Sequence, residues 1–238
     1  MLVKRIWKTN MVENRLEYAP RRSRGRPQVR SDEETRTLIL EAAEQEFQAN
    51  GYEATCIADI AERAGVSTKT LYRLIPNKAD LFADVIADRI GRFVLEYDLS
   101  RLDSLDAAAA LERMLTVFGT LTLEPRTIAL TRLVIGESRA FPEVGAAFYE
   151  NAILRTSQAM EDGLRRLCAR GLIGIDDPHE AVSMLRGMMI MEPQRAAMLG
   201  QREPPGTEEI AARAKRCAQM FLNGCAIDRG SAAVVEEH

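Results

Sequence analysis

Histidine is almost missing from this chain: His179 and the terminal His238 are the only two in 238 residues. A histidine-centred catalytic site or a histidine-ligated metal site has almost nothing to build on, which argues against a hydrolase or a metalloenzyme. Cysteine is scarce as well. Cys56, Cys168, Cys217 and Cys225 are irregularly spaced with no C-x-x-C pair, so neither a disulfide framework nor a zinc or thioredoxin-like site is expected, and all four read as small buried apolar residues in a reducing cytoplasm. No run approaches the ~20 uninterrupted apolar residues of a membrane-spanning helix, and the first residues hold no apolar core of a secretory signal. A soluble, unexported cytoplasmic protein follows as the expectation, with no membrane partner, no metal, no cofactor and no enzymatic activity.

Strand-like alternation is also missing, whereas apolar residues recur at spacings of three and four nearly throughout. The expected fold is therefore all-α. Ser31-Asp-Glu-Glu offers an N-cap and acidic residues for a first helix that Asn50-Gly51 stops in the left-handed conformation. Shorter helices are expected over 57–64 and 68–74, separated by Gly65-Val66-Ser67. Asn77-x-x-Asp80 reads as a capping box opening a long fourth helix with Leu81, Phe82, Val85, Ile86, Ile90 and Phe93 on one face. Further helices are predicted over 104–121, 124–140 and 142–170, the last closed by Gly171. Asp177-Pro178-His179-Glu180 starts another that runs to about Leu199, and Thr207-Glu-Glu starts the final one, to about Cys225.

Charge is divided unevenly along the chain. Residues 1–30 carry nine basic side chains against Glu13 and Glu17, a local +7, so the remainder must sum to −10 to give the overall −3. A basic arm on an acidic body points to a polyanionic partner touched at one end. Four regions are expected: a flexible basic arm over 1–30, a helix-turn-helix domain over 31–77, a larger helical domain over 78–226, and a disordered tail over 227–238.

The segment Ile57-Ala-Asp-Ile60-Ala61-Glu-Arg-Ala64-Gly65-Val66-Ser67-Thr-Lys-Thr-Leu71-Tyr72-Arg73-Leu74 carries the functional signal. Two short helices crossing steeply need a small residue where their backbones meet, supplied by Ala61, and a turn residue tolerant of positive φ, supplied by Gly65. Ile60, Ala64, Val66, Leu71 and Leu74 then face inward. Thr68, Lys69, Thr70, Tyr72 and Arg73 are left outward on the second helix, the one that enters the major groove N-terminus first. Thr55 is either the N-cap of the first short helix, a phosphate contact, or both. Arg24-Gly25-Arg26-Pro27 suits a narrow A·T-rich minor groove, with simple phosphate neutralisation by the basic arm as the equal alternative.

Gly51-Tyr52-Glu53-Ala54-Thr55, IADIAERAGVS and TKTLYRLIPNKADLF together resemble the tetracycline-repressor (TetR) family of bacterial transcription regulators, over residues 31 to about 90. The run TRLVIGESRAFPEVGAAFYENAI, Gly171 and the DDPHEA helix start resemble the AefR-like subgroup of its C-terminal domains. The resemblance implies an N-terminal three-helix DNA-binding domain, a fourth helix linking it to a helical ligand-binding domain, and dimerisation through the last two helices. It further implies that Thr68, Thr70, Tyr72 and Lys78 contact DNA, Tyr72 and Lys78 on phosphates. Leu74-Ile75 depart from the family's usual His or Tyr followed by Phe. Ile75 still suits the core.

The C-terminal half is rich in methionine, among them Met184 and Met188. With Phe118, Leu133, Phe141, Phe148 and Tyr149 they suit a pocket for a hydrophobic small molecule, an expectation resting mainly on the resemblance, or ordinary core. Glu137, Arg139 and Glu192 are either polar anchors there or solvated and paired. Ile210, Ala214, Cys217, Phe221 and Cys225 form a stripe on the last helix, and Val182, Leu185, Met188 and Met189 one on the helix before it. These stripes meet across a two-fold axis as a four-helix bundle, pack within one subunit, or do both, because a bundle helix has two faces to bury. The combined expectation is a homodimeric repressor released from a palindromic double-stranded DNA operator by a hydrophobic effector. Its rival is an effector-independent architectural DNA-binding dimer.

Overall fold

Residues 30–96 and 102–223 are described by a computed structural model, and among them every regular element is helical. The basic arm up to residue 29, with Arg24 and Arg26, lies outside the described residues, as do Cys225 and the tail. The helices are α1 (Asp32–Ala54), α2 (Ile57–Arg63), α3 (Thr68–Leu74), α4 (Lys78–Glu96), α5 (Ala107–Leu123), α6 (Pro125–Glu137), α7 (Pro142–Phe148), α8 (Arg155–Ala169), α9 (Pro178–Met198) and α10 (Thr207–Asn223). A π-helical segment, Tyr149–Leu154, joins α7 to α8, so the expected helix from Pro142 is continuous but carries one wide turn. No helix of the described residues is long and apolar enough to cross a membrane.

The local signals act where the sequence puts them. Gly51 breaks α1 with φ of 80°, and Gly171 follows α8 with φ of 68°. Asp80 N donates to Asn77 Oδ1 at 2.8 Å, and Asp177 Oδ1 accepts from the amides of His179 and Glu180 at 2.8 and 3.2 Å. α5 starts later than expected, at Ala107, because Asp106 rather than Ser104 accepts from an open amide, that of Ala109.

The buried side chains form two clusters. One holds the interior of α1–α4, including Phe47, Tyr52, Ile60, Leu71, Ile75 and Phe82, together with Leu130 and Val134 of α6, Val144 of α7 and Ala152 of the π segment. The other joins α5, α8, α9 and α10 around Leu111, Leu115, Phe118, Leu164, Leu185 and Ala214. Side-chain packing thus groups α6 and α7 with the first four helices, across the chain boundary expected at 77/78. Leu121 touches both clusters.

α9 and α10 are also tied through a backbone defect. Pro193 sits inside α9 and has no amide hydrogen to give to the Met189 carbonyl four residues back. Arg213 of α10 supplies the donors, Nε to Met189 O at 2.7 Å and Nη2 to Met188 O at 2.8 Å. This placement corrects the expected dimer seam. Val182, Leu185, Met189, Ile210, Ala214 and Cys217 are buried within one subunit, at 6% exposure or less, and Phe221 packs against the same cluster. α5 already covers this stripe. The cysteine expectation also fails in part: Cys217 is buried, but Cys168 is half-buried and Cys56 exposed.

Candidate nucleic-acid interface and ligand cavity

The α2–α3 turn is built as its residues demand. Gly65 adopts φ of 67°, Val66 N donates to Ala61 O at 2.9 Å, and Ser67 caps α3 by accepting from Thr70 N at 3.0 Å. Leu71 is fully buried, which fixes the rotation of α3. Thr68, Lys69, Tyr72 and Arg73 are exposed on its other side and Thr70 is half-buried, its hydroxyl 2.8 Å from that of Ser67. Tyr72 is 50% exposed.

Three other candidates are held more tightly than their sequence context suggests. Arg73 forks onto Asp32 at 2.6 and 2.8 Å, an exposed pair that lowers the Asp32 carboxyl chiefly through its hydrogen bond. Lys78 Nζ donates to Glu53 O at 3.0 Å and lies 4.8 Å above the Tyr52 ring, and burial pushes this ammonium down. Thr55 is not a helix cap. Cys56 occupies that position, while Thr55 is 4% exposed and its hydroxyl donates to Gly51 O and Glu46 O, so its side chain is turned away from solvent.

The α1–α3 unit, the head of the molecule, is gripped at the end of α1 by the corner between α6 and α7. The Glu137 carboxylate accepts from the amides of Tyr52 and Glu53, both at 2.9 Å, amides that the Gly51 break leaves without a helical partner. Phe141 packs edge-on against Tyr52, with ring centroids 5.3 Å apart, and Tyr52 Oη donates to Glu143 at 3.4 Å. Burial, and then the Glu143 charge, push the Tyr52 hydroxyl up to about 12. Glu137 is therefore a bracket for the head and not a pocket anchor. Glu192 stands 3.7 Å from Arg213.

A cavity of about 150 Å³ opens between the two apolar clusters, walled by α4, α5, α6, the π segment and α9. Its apolar wall includes Ile86, Ile90, Leu121, Leu130, Phe148 and Ile190, and its polar groups come from Thr127, Thr131, Thr156, Gln194, Arg89 and Arg186. Of the residues expected to line a pocket, Phe148 does so. Phe118 is instead fully buried in the second cluster, Leu133 and Phe141 pack against the first, Met188 packs against the second, and Tyr149 and Met184 are 53% and 56% exposed. Aromatic and methionine content identifies apolar residues without their direction. Arg186 was missed, because one charge beside the Val182, Leu185 and Met189 stripe is ordinary on an amphipathic helix. A wider cleft of about 280 Å³ lies on the α1, α4 and α5 side. It is lined by Glu41, Glu44, Asp88, Arg89, Glu124 and Arg126, among others.

Two family models match this chain: bacterial regulatory proteins of the tetR family over residues 39–85, and the C-terminal domain of AefR-like transcriptional repressors over residues 109–224. Together they span more than half of it. The chain belongs to the TetR family. The HTH-type transcriptional repressor ComR of Escherichia coli is 38% identical over 78 residues, 33% of this chain and 35% of ComR, so the chain matches about a third of that curated relative's length. A TetR-family regulator from Mesorhizobium loti has a similar structure, with a TM-score of 0.73 and 25% identity over 82% of this chain and 98% of that one. The flavonoid-responsive regulator FrrA gives a TM-score of 0.59 and 28% identity over the same shares. The first TetR match runs from inside α1 to inside α4, and so takes in the whole α2–α3 unit and the start of the linking helix.

Proposed function

We propose that this TetR-family chain is a cytoplasmic, homodimeric repressor that holds a palindromic DNA operator through α3 and releases it when a hydrophobic small molecule fills the cavity between the two cores. Residues 31–77 act as the DNA-binding domain and 78–226 as the ligand-binding and dimerisation domain. The observation that carries the reading is the continuity of α4. Its first residue, Lys78, sits against the head, and Ile86, Arg89 and Ile90 on the same helix line the cavity.

Thr68, Lys69, Thr70 and Tyr72 reach the major groove and its phosphates. Arg73 and Lys78 exchange Asp32 and the Glu53 carbonyl for phosphate oxygens, which is cheap for the exposed Arg73 pair because solvent screens it. The basic arm, with Arg24 and Arg26, adds contacts on the flank. Dimerisation uses the outer sides of the last two helices, where Met184 and Met191 lie along one face of α9 and Met220 is exposed on α10. A ligand between the cores displaces α4 and the α6–α7 corner, and changes the separation of two recognition helices that must stand ~34 Å apart to occupy successive grooves. A cavity placed there favours this reading over an effector-independent architectural protein.

The test begins with an operator recovered by selection from random DNA. Wild-type protein should protect a two-fold symmetric site, and Tyr72→Ala should lose it while remaining folded and dimeric. Recovery of asymmetric sites, or undiminished affinity in the variant, overturns the reading.

A further inference from the structure

The two arginines in the cavity wall differ in their partners. Arg89 meets Glu44 and Glu124, both at 2.6 Å, and Thr127 at 2.8 and 3.1 Å, so its charge is compensated. Arg186 has no carboxylate partner among the described residues. Its Nη1 donates to Ile153 O at 2.9 Å, to Thr156 Oγ1 at 3.3 Å and to Ser157 Oγ, and its guanidinium carbon lies 5.0 Å from the centre of the Phe118 ring. Nε and Nη2 make no hydrogen bond among the described residues. Neutral acceptors and an aromatic face stabilise one edge of the cation but leave its charge unmatched, and burial pushes the group below its ordinary value. The cavity lining contains no acidic residue.

A buried guanidinium held by one nitrogen, with the Nε–Nη2 edge open, has the fork that pairs with a carboxylate through two parallel hydrogen bonds. The rest of the wall is aliphatic and aromatic. Its volume, about 150 Å³, is that of a protein cavity that takes a single benzene ring. We infer that this cavity is a site for a small aryl or similarly compact carboxylate, its ring against Ile86, Ile90, Phe148 and Ile190 and its carboxylate on the Nε–Nη2 edge of Arg186. This deepens the reading of the cavity as the effector site and rests on it. Thr131 Oγ1 and Gln194 Nε2 donate to the Thr127 and Thr122 carbonyls at 2.8 and 3.2 Å, which leaves their oxygens as acceptors toward ring substituents. The π segment takes part directly, because Ile153, whose carbonyl holds Arg186, belongs to it. Charge matching on Arg186 thus connects ligand arrival to the element that joins α7 to α8.

The full-length protein is titrated at pH 7 with benzoate, phenylacetate and trans-cinnamate and with the corresponding amides, by calorimetry and thermal shift, using wild type, Arg186→Gln and Arg186→Lys. At least one acid is expected to bind saturably and ten-fold or more tighter than its amide. Arg186→Gln should bring acid and amide within about three-fold, with Arg186→Lys intermediate. The wild-type acid-to-amide comparison stands even where a variant fails to fold. Amides that bind as well as acids, an acid preference undiminished in Arg186→Gln, or no binding of any of the six compounds would each overturn the assignment. Operator gel shifts separate the two readings. An acid that binds in this Arg186-dependent way without weakening operator binding upholds the anion site and refutes release, whereas an amide that binds equally and releases the operator refutes the anion site alone.

Discussion

The two apolar clusters of this protein do different work with similar material. The second, around Phe118, is closed: α5, α8, α9 and α10 surround one another, and the inner stripes of α9 and α10 are used up within the subunit. The first, around Phe47 and Phe82, is built from two separated stretches of the chain, with Leu130, Val134, Val144 and Ala152 completing the interior of the DNA-binding head. A closed core holds shape. The two cores meet along α4, whose Phe93 belongs to the second while Ile86 and Ile90 belong to the first, and the cavity lies between them. The lesson is that packing draws the boundary between the two cores, and chain position does not.

Cavity-forming substitutions should separate the two cores most strongly. Phe118→Ala is expected to cost ~3–5 kcal/mol and Leu71→Ala ~2–5 kcal/mol in denaturant unfolding. Hydrogen exchange decides whether the division is real: Leu71→Ala should accelerate exchange in α1–α4 and in α6–α7 while sparing α10, and Phe118→Ala should do the reverse. Equal acceleration everywhere would erase the comparison. Glu137→Ala comes next, at ~1.5–3 kcal/mol, because it leaves the amides of Tyr52 and Glu53 without their charged acceptor. Its exchange signature should appear at residues 51–55.

Most of the helical frame could be read from local signals, since caps such as Asn77 and Asp177 and stops such as Gly51 and Gly171 act within a few residues of themselves. The outward face of α3 was legible for the same reason: once Leu71 is assigned inward, the helical period places Lys69 and Arg73 opposite it. Contacts between distant segments were not. Nothing near Glu137 announces that it reaches back to the amides of Tyr52 and Glu53, and a stripe such as Val182, Leu185 and Met189 has the same pattern whether its partner is α5 or a second subunit. Arg186 was hidden by the opposite problem, since a single charge on an amphipathic helix is ordinary until its neighbours in space are known to be neutral.

Smaller effects sharpen the link between head and corner. The folded Tyr52 phenol keeps its proton to about pH 12, whereas an unfolded tyrosine loses it near 10. Its contribution is therefore whole below pH 10 and is lost as pH rises toward 12. Tyr52→Phe should flatten the decline in stability over that window, measured by urea unfolding at successive pH values, and an unaltered decline would place the phenol outside the corner. Smallest of all in stability is Tyr72→Ala, expected to stay within ~0.5 kcal/mol of wild type because the ring is half exposed, even as operator binding is lost.

The central claim, that filling the seam between the cores releases DNA, is tested most directly without any ligand. Ala152 lines the cavity and is 7% exposed, so Ala152→Phe places a ring in the space the effector would occupy. With helicity and dimerisation verified, its operator affinity should fall ~10–100-fold, the range of a coupling of ~1–3 kcal/mol. A folded, dimeric Ala152→Phe protein that binds the operator as tightly as wild type would contradict the account.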